Sequence, residues 1–482
     1  MASLEELKKA RLEKLAQIKA AGLEAYPAES KRTHTCRQAL DDFEKLASDE
    51  TEVFLTGRIL AIRGHGGSVF VQIEDSTNDC QLYFKKDKLG EEKYKTFQEG
   101  FDLGDFIQVS GIMFKTKKGE PTLEVADFKM LTKALAPLPE QWYGFKDAEE
   151  RFRKRYLDLL MNKSVKERFV FRSHLIKSIR NFLEEKDFLG VETPMLQPLH
   201  GGAAARPFKT HLNALDMELC LRIAPELYLK RLLVGGFERV YEIGRCFRNE
   251  GMDAQHNPEF TILEFYWAYA DYKDLMKLTE EMFNSILTDS KIHYRSEEID
   301  FATPWPQIEF DQLIQEHCDI DINKASLEDL IKKAEEFKLK LSEKEKTKHK
   351  IVDELYSKIC RPKIIQPTFI IHHPLNISPL AKQLAGQPEK TARFQVIVGG
   401  MELINAFSEL NDPQEQARRF EEQVEAGDEE AQPYDQDFVE ALEYGVPPAA
   451  GFGMGVDRLV ALLTDAQSLR EIILFPTMRP KE

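Results

Sequence analysis

The chain is poor in cysteine, and its cysteines are not spaced as metal ligands. The six cysteines stand at positions 36, 80, 220, 246, 318 and 360. No pair has C-x-x-C spacing, which argues against a zinc site and against a disulfide framework. No apolar run is long enough to span a membrane, and the first residues contain no apolar signal core. We therefore expect a cytoplasmic protein with free, buried thiols and no membrane segment.

Basic residues are outnumbered, and one common nucleotide-binding motif is missing. The 482 residues include 66 basic and 82 acidic side chains, which gives a formal net charge of −16. This balance argues against a protein that coats nucleic acid by bulk charge, although a local basic groove stays possible. No G-x-x-x-x-G-K-[ST] motif occurs, so a P-loop ATPase is excluded. The length predicts two or three domains with ample core.

Residues 1–52 are predicted to form a helical extension that begins with an amphipathic helix over 3–20. Ser3 and Glu6 have capping-box spacing, and leucines recur at helical intervals with lysines between them. This helix could pack on the next domain, or it could be a basic arm that contacts RNA phosphates.

Residues 53–140 are predicted to form a five-stranded OB-fold barrel. Five strand-like runs separated by turn residues are VFLTGRILAIR, SVFVQIED, CQLYFKK, FIQVSGIMFKT and LEVADFKML. Such barrels bind single-stranded nucleic acid by stacking bases on aromatic side chains. Residues 141–165, which begin with a proline-containing stretch and turn basic, are predicted to be a linker.

Residues 237–267 predict a hairpin whose strands flank a polar loop. Alternation along the return strand places Phe260, Ile262, Glu264 and Tyr266 on one face, and Arg248 follows the outgoing strand. An arginine fork suits phosphate or carboxylate, a ring face suits a base, and the carboxylate with the phenol suits an ammonium. The hairpin therefore indicates a site for a nucleotide beside a small cation.

Three motifs in order resemble those of class II aminoacyl-tRNA synthetases. They are EKDFLGVETPML at 185–196, FRNEG with HNPEF at 247–260, and GFGMGVDRLVALL at 451–463. The segments GGAAARPF, APELYLKRL, NAFSELNDPQEQ and ILFPTMRP further resemble lysyl-tRNA synthetases. The resemblance implies an α+β protein in which residues 166–482 form a catalytic domain, an antiparallel sheet flanked by helices. It also implies a homodimer through the region around 166–196.

A helical, charged insertion at about 309–366 interrupts this domain. We expect its charge run, KLKLSEKEKTKHK, to be solvated surface, and we assign it no chemistry.

The implied reaction is that of a lysine–tRNA ligase, with ATP, L-lysine and the tRNA for lysine as partners. Lysine would be activated by ATP to lysyl-adenylate and then transferred to the 3′ end of the tRNA. Arg248 and Arg458 are the implied catalytic residues. The implied lysine-binding residues are Gly202, Glu226, Arg248, Glu264, Tyr266, Asn405 and Glu409. The implied ATP-binding residues are Arg248, Glu250, His256, Asn257, Phe260, Glu402 and Arg458.

The acids of this set favour a diamino substrate. A buried carboxylate is costly unless a cation is paired with it. Glu226, Glu264 and Glu409 place three carboxylates in one expected pocket, and an extended substrate with two ammonium groups would satisfy them.

Magnesium is the implied cofactor, in a number of ions that the sequence leaves open. The family usually has glutamate at two matching positions, which here are Gln395 and Glu402, and Glu409 is a further candidate ligand. A glutamine can ligate only through its neutral carbonyl oxygen. Strict alternation also places Asn405 on the face opposite Glu402, and only a bulge or a strand break would bring them to one site.

The barrel residues that match the anticodon contacts of the family are Arg63, Phe70, Gln81 and Glu120. Taken alone, Phe70 could equally belong to the barrel core. Two other functions stay open. The first is a catalytically impaired RNA-binding protein, which Gln395 alone supports. The second is an enzyme that lysylates a protein, which would not need an anticodon-type barrel.

Overall fold

The computed structural model describes residues 3–139, 147–342, 345–425 and 433–481, with the side chains of His65 and Glu425 left out. These residues divide into two compact units, Met1–Gly144 and Phe145–Glu482. The predicted boundary between barrel and linker, at 140–141, lies outside the described residues. No described helix combines the length and the apolar character of a membrane span.

The first unit is a closed barrel with helices packed on it. Its helices are α1 (Leu4–Ala20), α2 (Cys36–Asp41), α3 (Phe43–Ser48), α4 (Lys86–Leu89) and α5 (Glu91–Gly100). Its strands are β1 (Val53–His65), β2 (Ser68–Glu74), β3 (Asp79–Lys85), β4 (Phe106–Lys115) and β5 (Pro121–Thr132). The barrel closes in the order β1-β2-β3-β5-β4, which confirms the five predicted strands.

Helix α1 packs against the barrel. The predicted capping box is present, because the Ser3 and Glu6 side chains each accept a hydrogen bond from the other residue's backbone amide. Leu15 and Ile18 are buried with the barrel core, and Arg11 donates to the backbone oxygens of Leu103 and Ala134. These contacts favour a packed helix over a free basic arm.

The second unit is built on an eight-stranded sheet. Its strands are β6 (Leu189–Gly190), β7 (Leu196–Gln197), β8 (Lys209–Leu212), β9 (Met217–Leu221), β10 (Arg239–Phe247), β11 (Glu259–Ala268), β12 (Lys291–Tyr294), β13 (Glu297–Asp300), β14 (Gln307–Glu309), β15 (Thr368–Ile371), β16 (Gln383–Leu384), β17 (Gln387–Thr391), β18 (Arg393–Val398), β19 (Met401–Ser408) and β20 (Ala449–Gly455). The large sheet has the order β14-β15-β18-β19-β20-β11-β10-β6.

The sheet is mixed rather than wholly antiparallel. The central strands, in the sheet order β15-β18-β19-β20-β11-β10, pair antiparallel, as predicted. The outermost pairs, β14–β15 and β10–β6, are parallel. Parallel neighbours need a long crossover. The helical insertion supplies that crossover between β14 and β15, and residues 191–238 supply it between β6 and β10.

Helices cover this sheet. They are α6 (Ala148–Arg153), α7 (Arg155–Met161), α8 (Lys163–Glu185), α9 (Glu226–Val234), α10 (Tyr272–Ile286), α11 (Phe310–Cys318), α12 (Leu327–Glu336), α13 (Lys348–Leu355), α14 (Pro413–Glu425), α15 (Gln436–Glu443) and α16 (Val456–Leu463). A π-helical turn at Tyr356–Cys360 and a 3₁₀ turn at Arg361–Lys363 follow α13. Helices α6, α7 and the start of α8 thus lie within the segment predicted as a linker.

Candidate active site

The predicted hairpin is the floor of a cavity of about 1520 Å³. Strand β11 pairs with β20, and β20 pairs with β19, so Gly453 lies between Glu264 and Asn405 in register. In the next row Gly451 lies between Tyr266 and Phe407. The glycines of β20 leave the space over the strand open, so the side chains on either side can face one ligand.

Gly451 is required by this arrangement. A Cβ atom there would lie 2.1 Å from Glu409 Oε1 and 2.5 Å from Tyr266 Cε1. Gly202 is equally constrained, because its φ of +85° favours glycine and a Cβ atom would lie 2.8 Å from the Glu226 Cβ atom. Small residues at these two positions therefore let backbone and acids approach each other closely.

A bulge resolves the conflict between Glu402 and Asn405. The β18–β19 register shifts so that Ile397 pairs with Glu402 and Val396 with Ile404, which leaves Leu403 as the extra residue. Because a bulge reverses the alternation, Glu402 and Asn405 both line the cavity.

All predicted residues of this unit line the cavity except Glu409. Those that line it are Gly202, Glu226, Arg248, Glu250, His256, Asn257, Phe260, Glu264, Tyr266, Gln395, Glu402, Asn405 and Arg458. Glu409 lies behind Gly451, and its Oε1 atom has no hydrogen-bond partner among the described residues.

Three buried acids and one buried lysine form a charged cluster at one end of the cavity, where Glu226 and Glu264 line it and Glu409 lies behind Gly451. Glu226, Glu264 and Glu409 are each at most 7% exposed. The Lys230 ammonium lies 2.6 Å from Glu226 Oε1 and also forms an ion pair with Glu409. When all four groups are ionised, this cluster keeps a formal charge of −2.

The acid cluster holds its charge at a cost. Burial, followed by the nearby Glu226, raises the pKa of Glu264 well above its ordinary value. Burial likewise raises the pKa of Tyr266, whose hydroxyl donates to Glu264 Oε2 over 3.3 Å. Burial also raises the pKa of Glu409, although the Lys230 ammonium opposes that shift. A ligand with ammonium groups would stabilise the ionised forms.

Beyond the acids, polar groups are oriented for a carboxylate. Arg393 Nε donates to Asn405 Oδ1 over 2.8 Å, which fixes the Asn405 amide so that its NH₂ group is the free end. Arg248 Nε is buried and has no hydrogen-bond partner in the described parts of the chain, and its guanidinium lies 5.0 Å from the centre of the Phe260 ring. These two donors can bind a carboxylate that enters between them.

The opposite end of the cavity carries the predicted ATP residues. Arg458 Nη1 donates to the Glu402 backbone oxygen over 2.8 Å, and Arg458 Nη2 lies 3.4 Å from His256 Nε2. Asn257 Oδ1 is buried without a partner among the described residues, and its Nδ2 donates to the Glu259 backbone oxygen over 2.6 Å.

The three candidate metal ligands differ in what they already contact. Glu402 lines the cavity, and its carboxylate oxygen Oε2 lies 3.7 Å from Arg361 Nη1. Gln395 Oε1 already accepts a hydrogen bond from Tyr356, and Glu409 is paired with Lys230. Across the described parts of the chain, no group of three or more acids, histidines or cysteines is placed to hold a metal ion.

Sequence reasoning missed Lys230, Arg393 and the inner side of the insertion. The spacing of Glu226 and Lys230 on one helix was a signal that could have found the first. The insertion is not only solvated surface, because Lys348, Asp353 and other residues of α13 and the turns after it line the cavity. Its pattern resembled an ordinary amphipathic helix, so the sequence held no signal for this.

The barrel presents a row of aromatic side chains on its outer face. Strands β2 and β3 alternate so that Phe70, Gln81 and Tyr83 face away from the core. Phe70 pairs with Arg63 on one side and Tyr83 on the other, with ring centroids 4.8 Å apart. The ring of Phe114 lies 5.9 Å beyond Tyr83.

Phe70 is part of this outer aromatic row and does not belong to the barrel core. Gln81 Nε2 donates to Thr122 Oγ1 over 2.9 Å, and the Glu120 side chain is exposed between β4 and β5. Tyr83 was missed by sequence reasoning, although the same two-residue period places it beside Gln81.

Comparisons with known proteins agree with this geometry. Residues 147–479 match the family of tRNA synthetases class II (D, K and N), and residues 53–131 match the OB-fold nucleic acid binding domain. A lysine–tRNA ligase of Pelotomaculum thermopropionicum is 50% identical over 99% of this chain and 96% of its own length. A lysine–tRNA ligase of Carboxydothermus hydrogenoformans is 49% identical over 99% of both chains. The chain therefore belongs to the class II tRNA synthetases of the D, K and N group.

Proposed function

We propose that this protein is a lysine–tRNA ligase. The observation that carries the proposal is the acid cluster of Glu226, Glu264 and Glu409, in which Lys230 neutralises one of the three charges. When the three acids are ionised, the remaining charge of −2 matches the two ammonium groups of lysine, while Arg248 and Asn405 can take its carboxylate. Two relatives that are 49% and 50% identical over 99% of this chain carry this name.

In the first step the lysine carboxylate oxygen attacks the α-phosphorus of ATP. A new P–O bond forms, the bond to the bridging oxygen breaks, and pyrophosphate leaves. Arg248 would bind both the carboxylate and the α-phosphate, and Phe260 and Arg458 would hold the adenine between them. A reaction of this kind depends on positioning and on charge neutralisation, so no protein nucleophile is needed.

In the second step a hydroxyl of the tRNA 3′ adenosine attacks the carbonyl carbon of the adenylate, and AMP leaves. The acid cluster keeps the lysine side chain in place through both steps. The aromatic row of the barrel, with Arg63 and Gln81, would bind the anticodon bases by stacking and by hydrogen bonds. We propose that both steps take place in the cytoplasm.

Magnesium bound with ATP would supply positive charge to the phosphates. Glu402 fits this role, because its carboxylate lines the cavity and Mg²⁺ is commonly held by one or two carboxylates together with substrate phosphates. Gln395 does not fit, because its oxygen already accepts a hydrogen bond from Tyr356 over 2.6 Å.

A homodimer through the region around 166–196 is part of the proposal. The side chains that support it are apolar and 37–48% exposed: Val170, Phe171, Leu189, Met195 and Leu196. Strand β6 lies at the edge of the large sheet, where a second copy could extend the contact. Light scattering should give twice the mass of the chain, and a monomer at micromolar concentration would contradict this part.

Lysine-dependent exchange of pyrophosphate into ATP tests the proposal. We expect exchange with lysine and little with arginine, ornithine or aspartate. The variant Glu409→Gln should raise the KM for lysine far more than the KM for ATP, because only the amino acid needs the acid cluster. Exchange with aspartate instead of lysine would refute the substrate, and no exchange with any amino acid would favour the impaired RNA-binding protein.

A further inference from the structure

The oxygen of Gln395 is engaged by neighbouring side chains. The Tyr356 hydroxyl donates to Gln395 Oε1 over 2.6 Å, and His373 Nε2 lies 3.2 Å from the same oxygen. A carbonyl oxygen that already accepts a hydrogen bond and has a ring nitrogen at contact distance leaves little room for a metal ion. One of the two acidic positions that the resemblance assigns to magnesium is therefore lost in this chain.

An arginine lies next to the remaining acid. Arg361 Nη1 is 3.7 Å from Glu402 Oε2, which is too long for a hydrogen bond. Arg361 Nε is buried and has no hydrogen-bond partner among the described residues. The side chain lines the cavity and is 27% exposed. Among the described residues no acceptor takes a hydrogen bond from its guanidinium, although the side chain lines the cavity, and an unpartnered buried guanidinium nitrogen is unusual.

The local backbone explains how the insertion brings this arginine into the cavity. Helix α13 ends in the π-helical turn Tyr356–Cys360, and Arg361 starts the 3₁₀ turn that follows. Such turns interrupt the regular spacing of a helix and are frequent at functional sites. Here Tyr356 contacts Gln395 while Arg361 faces Glu402, so one short segment holds the glutamine and presents the cation.

We propose that Arg361 binds the terminal phosphates of ATP and the departing pyrophosphate. It would supply, as a fixed side chain, the positive charge that a second carboxylate-bound Mg²⁺ would otherwise bring. The inference rests on the proposed function for its substrate, ATP. Guanidinium suits the role, since it stays charged at all relevant pH values and binds phosphate through two parallel hydrogen bonds.

The contact with Glu402 could instead be only a structural ion pair. The two groups are partly exposed and 3.7 Å apart, so the pair itself contributes little. Asp353 lines the same cavity and interacts electrostatically with Arg361 and Glu402. A structural pair would matter for stability, whereas a phosphate-binding role would change the affinity for polyphosphates alone.

The test measures binding of ATP, AMP and pyrophosphate by calorimetry, with Mg²⁺ and with EDTA. The variant Arg361→Gln should weaken ATP and pyrophosphate binding about 10- to 100-fold in EDTA, the loss expected for a hydrogen bond between charged groups. Binding of AMP should change less than about twofold, because AMP lacks the terminal phosphates. Arg361→Lys should retain part of the affinity. Lys358→Ala, which removes an exposed charge from the same turn, is the matched control.

The glutamine provides a second test. If the arginine replaces a metal, Gln395→Glu in the Arg361→Gln background should restore ATP binding in Mg²⁺ but not in EDTA. Equal effects of Arg361→Gln on ATP and AMP, or no effect on either, would overturn the inference. If Arg361→Gln binds all three ligands with wild-type affinity and the wild type shows no lysine-dependent exchange, both this inference and the proposed function are refuted. If the wild type does show that exchange and Arg361→Gln still binds all three ligands normally, only this inference is refuted.

Discussion

The role of Lys230 leads to a prediction about stability. The variant Lys230→Met keeps the length and apolar stem of the side chain but removes the ammonium between Glu226 and Glu409. Removing one partner of a buried ion pair costs about 3–5 kcal/mol, because the other charge stays buried without compensation. Lys230 is only 2% exposed, so solvent screening does not reduce this figure.

The same loss should depend on pH, with a definite sign. Burial already raises the pKa of Glu409, and without Lys230 that pKa should rise further. The folded variant then binds a proton that the unfolded chain releases, so its free energy of unfolding falls as the pH rises. The slope approaches about 1.4 kcal/mol per pH unit for one proton. Because the pKa of Glu409 is raised to about 8 in the wild type, the two proteins have the same slope below that pH. The deficit relative to wild type should therefore grow above pH 8 and be larger at pH 9 than at pH 7.

Urea unfolding followed by tryptophan fluorescence measures both effects, because Trp267 and Trp305 lie in the second unit. The double variant Lys230→Met/Glu409→Gln, which removes both charges, should recover at least half of the lost free energy. Lys277→Met removes an ammonium from an exposed side chain of α10 and should change stability by less than about 1 kcal/mol. A deficit that is below about 1 kcal/mol at pH 9, or that is the same at pH 7 and pH 9, would refute the charge-neutralising role.

Three further results follow from the structure. Since burial raises the pKa of Glu264 well above its ordinary value and that of Glu409 to about 8, lysine binding should release protons and tighten from pH 6 to pH 8. Calorimetry in buffers of different ionisation enthalpy measures this, and an affinity independent of pH would contradict it. Phe70→Ala and Tyr83→Ala should each weaken binding of an anticodon stem-loop RNA about 5- to 100-fold by loss of stacking, without changing lysine-dependent exchange. Gly451→Ala should abolish exchange, because its Cβ atom would lie 2.1 Å from Glu409 Oε1; a variant with normal kinetics would show that the wall can shift.

The sequence predicted those parts of the fold that follow a regular period. The two-residue alternation along the return strand correctly placed the side chains of Phe260, Ile262, Glu264 and Tyr266 on the cavity face. The five predicted barrel strands likewise close into one barrel. The parts that could not be predicted depend on departures from that period. Leu403 shifts the phase of its strand, and the turn at Tyr356–Cys360 shifts the phase of its helix. Neither shift has a composition of its own, so only the packing of distant segments determines them.

Charge partners were predictable only when both lay close in sequence. Glu226 and Lys230 are one helical turn apart, but Glu409 reaches the same ammonium from a distant strand. The orientation of Asn405 depends in the same way on Arg393, which reaches it across the β18–β19 pair. Counting only the acids in the sequence therefore overestimated the negative charge of the pocket. In the structure Lys230 lowers that charge to a value that the two ammonium groups of one bound lysine can balance.

The net charge of the acid cluster explains the specificity for lysine, because membership of the family does not by itself determine the amino acid. The matching family includes enzymes of the D, K and N group, which share a synthetase domain but differ in amino acid. An aspartate side chain placed beside Glu264 and Glu409 would bring a third carboxylate to two buried acids, and an asparagine side chain would leave Glu264 without a cation. Unpaired buried polar groups of this kind allow discrimination of about 10⁴-fold or more. The same cluster would bind a diamino acid without any excess charge, so selection against the other members of the group and selection for lysine come from one set of side chains.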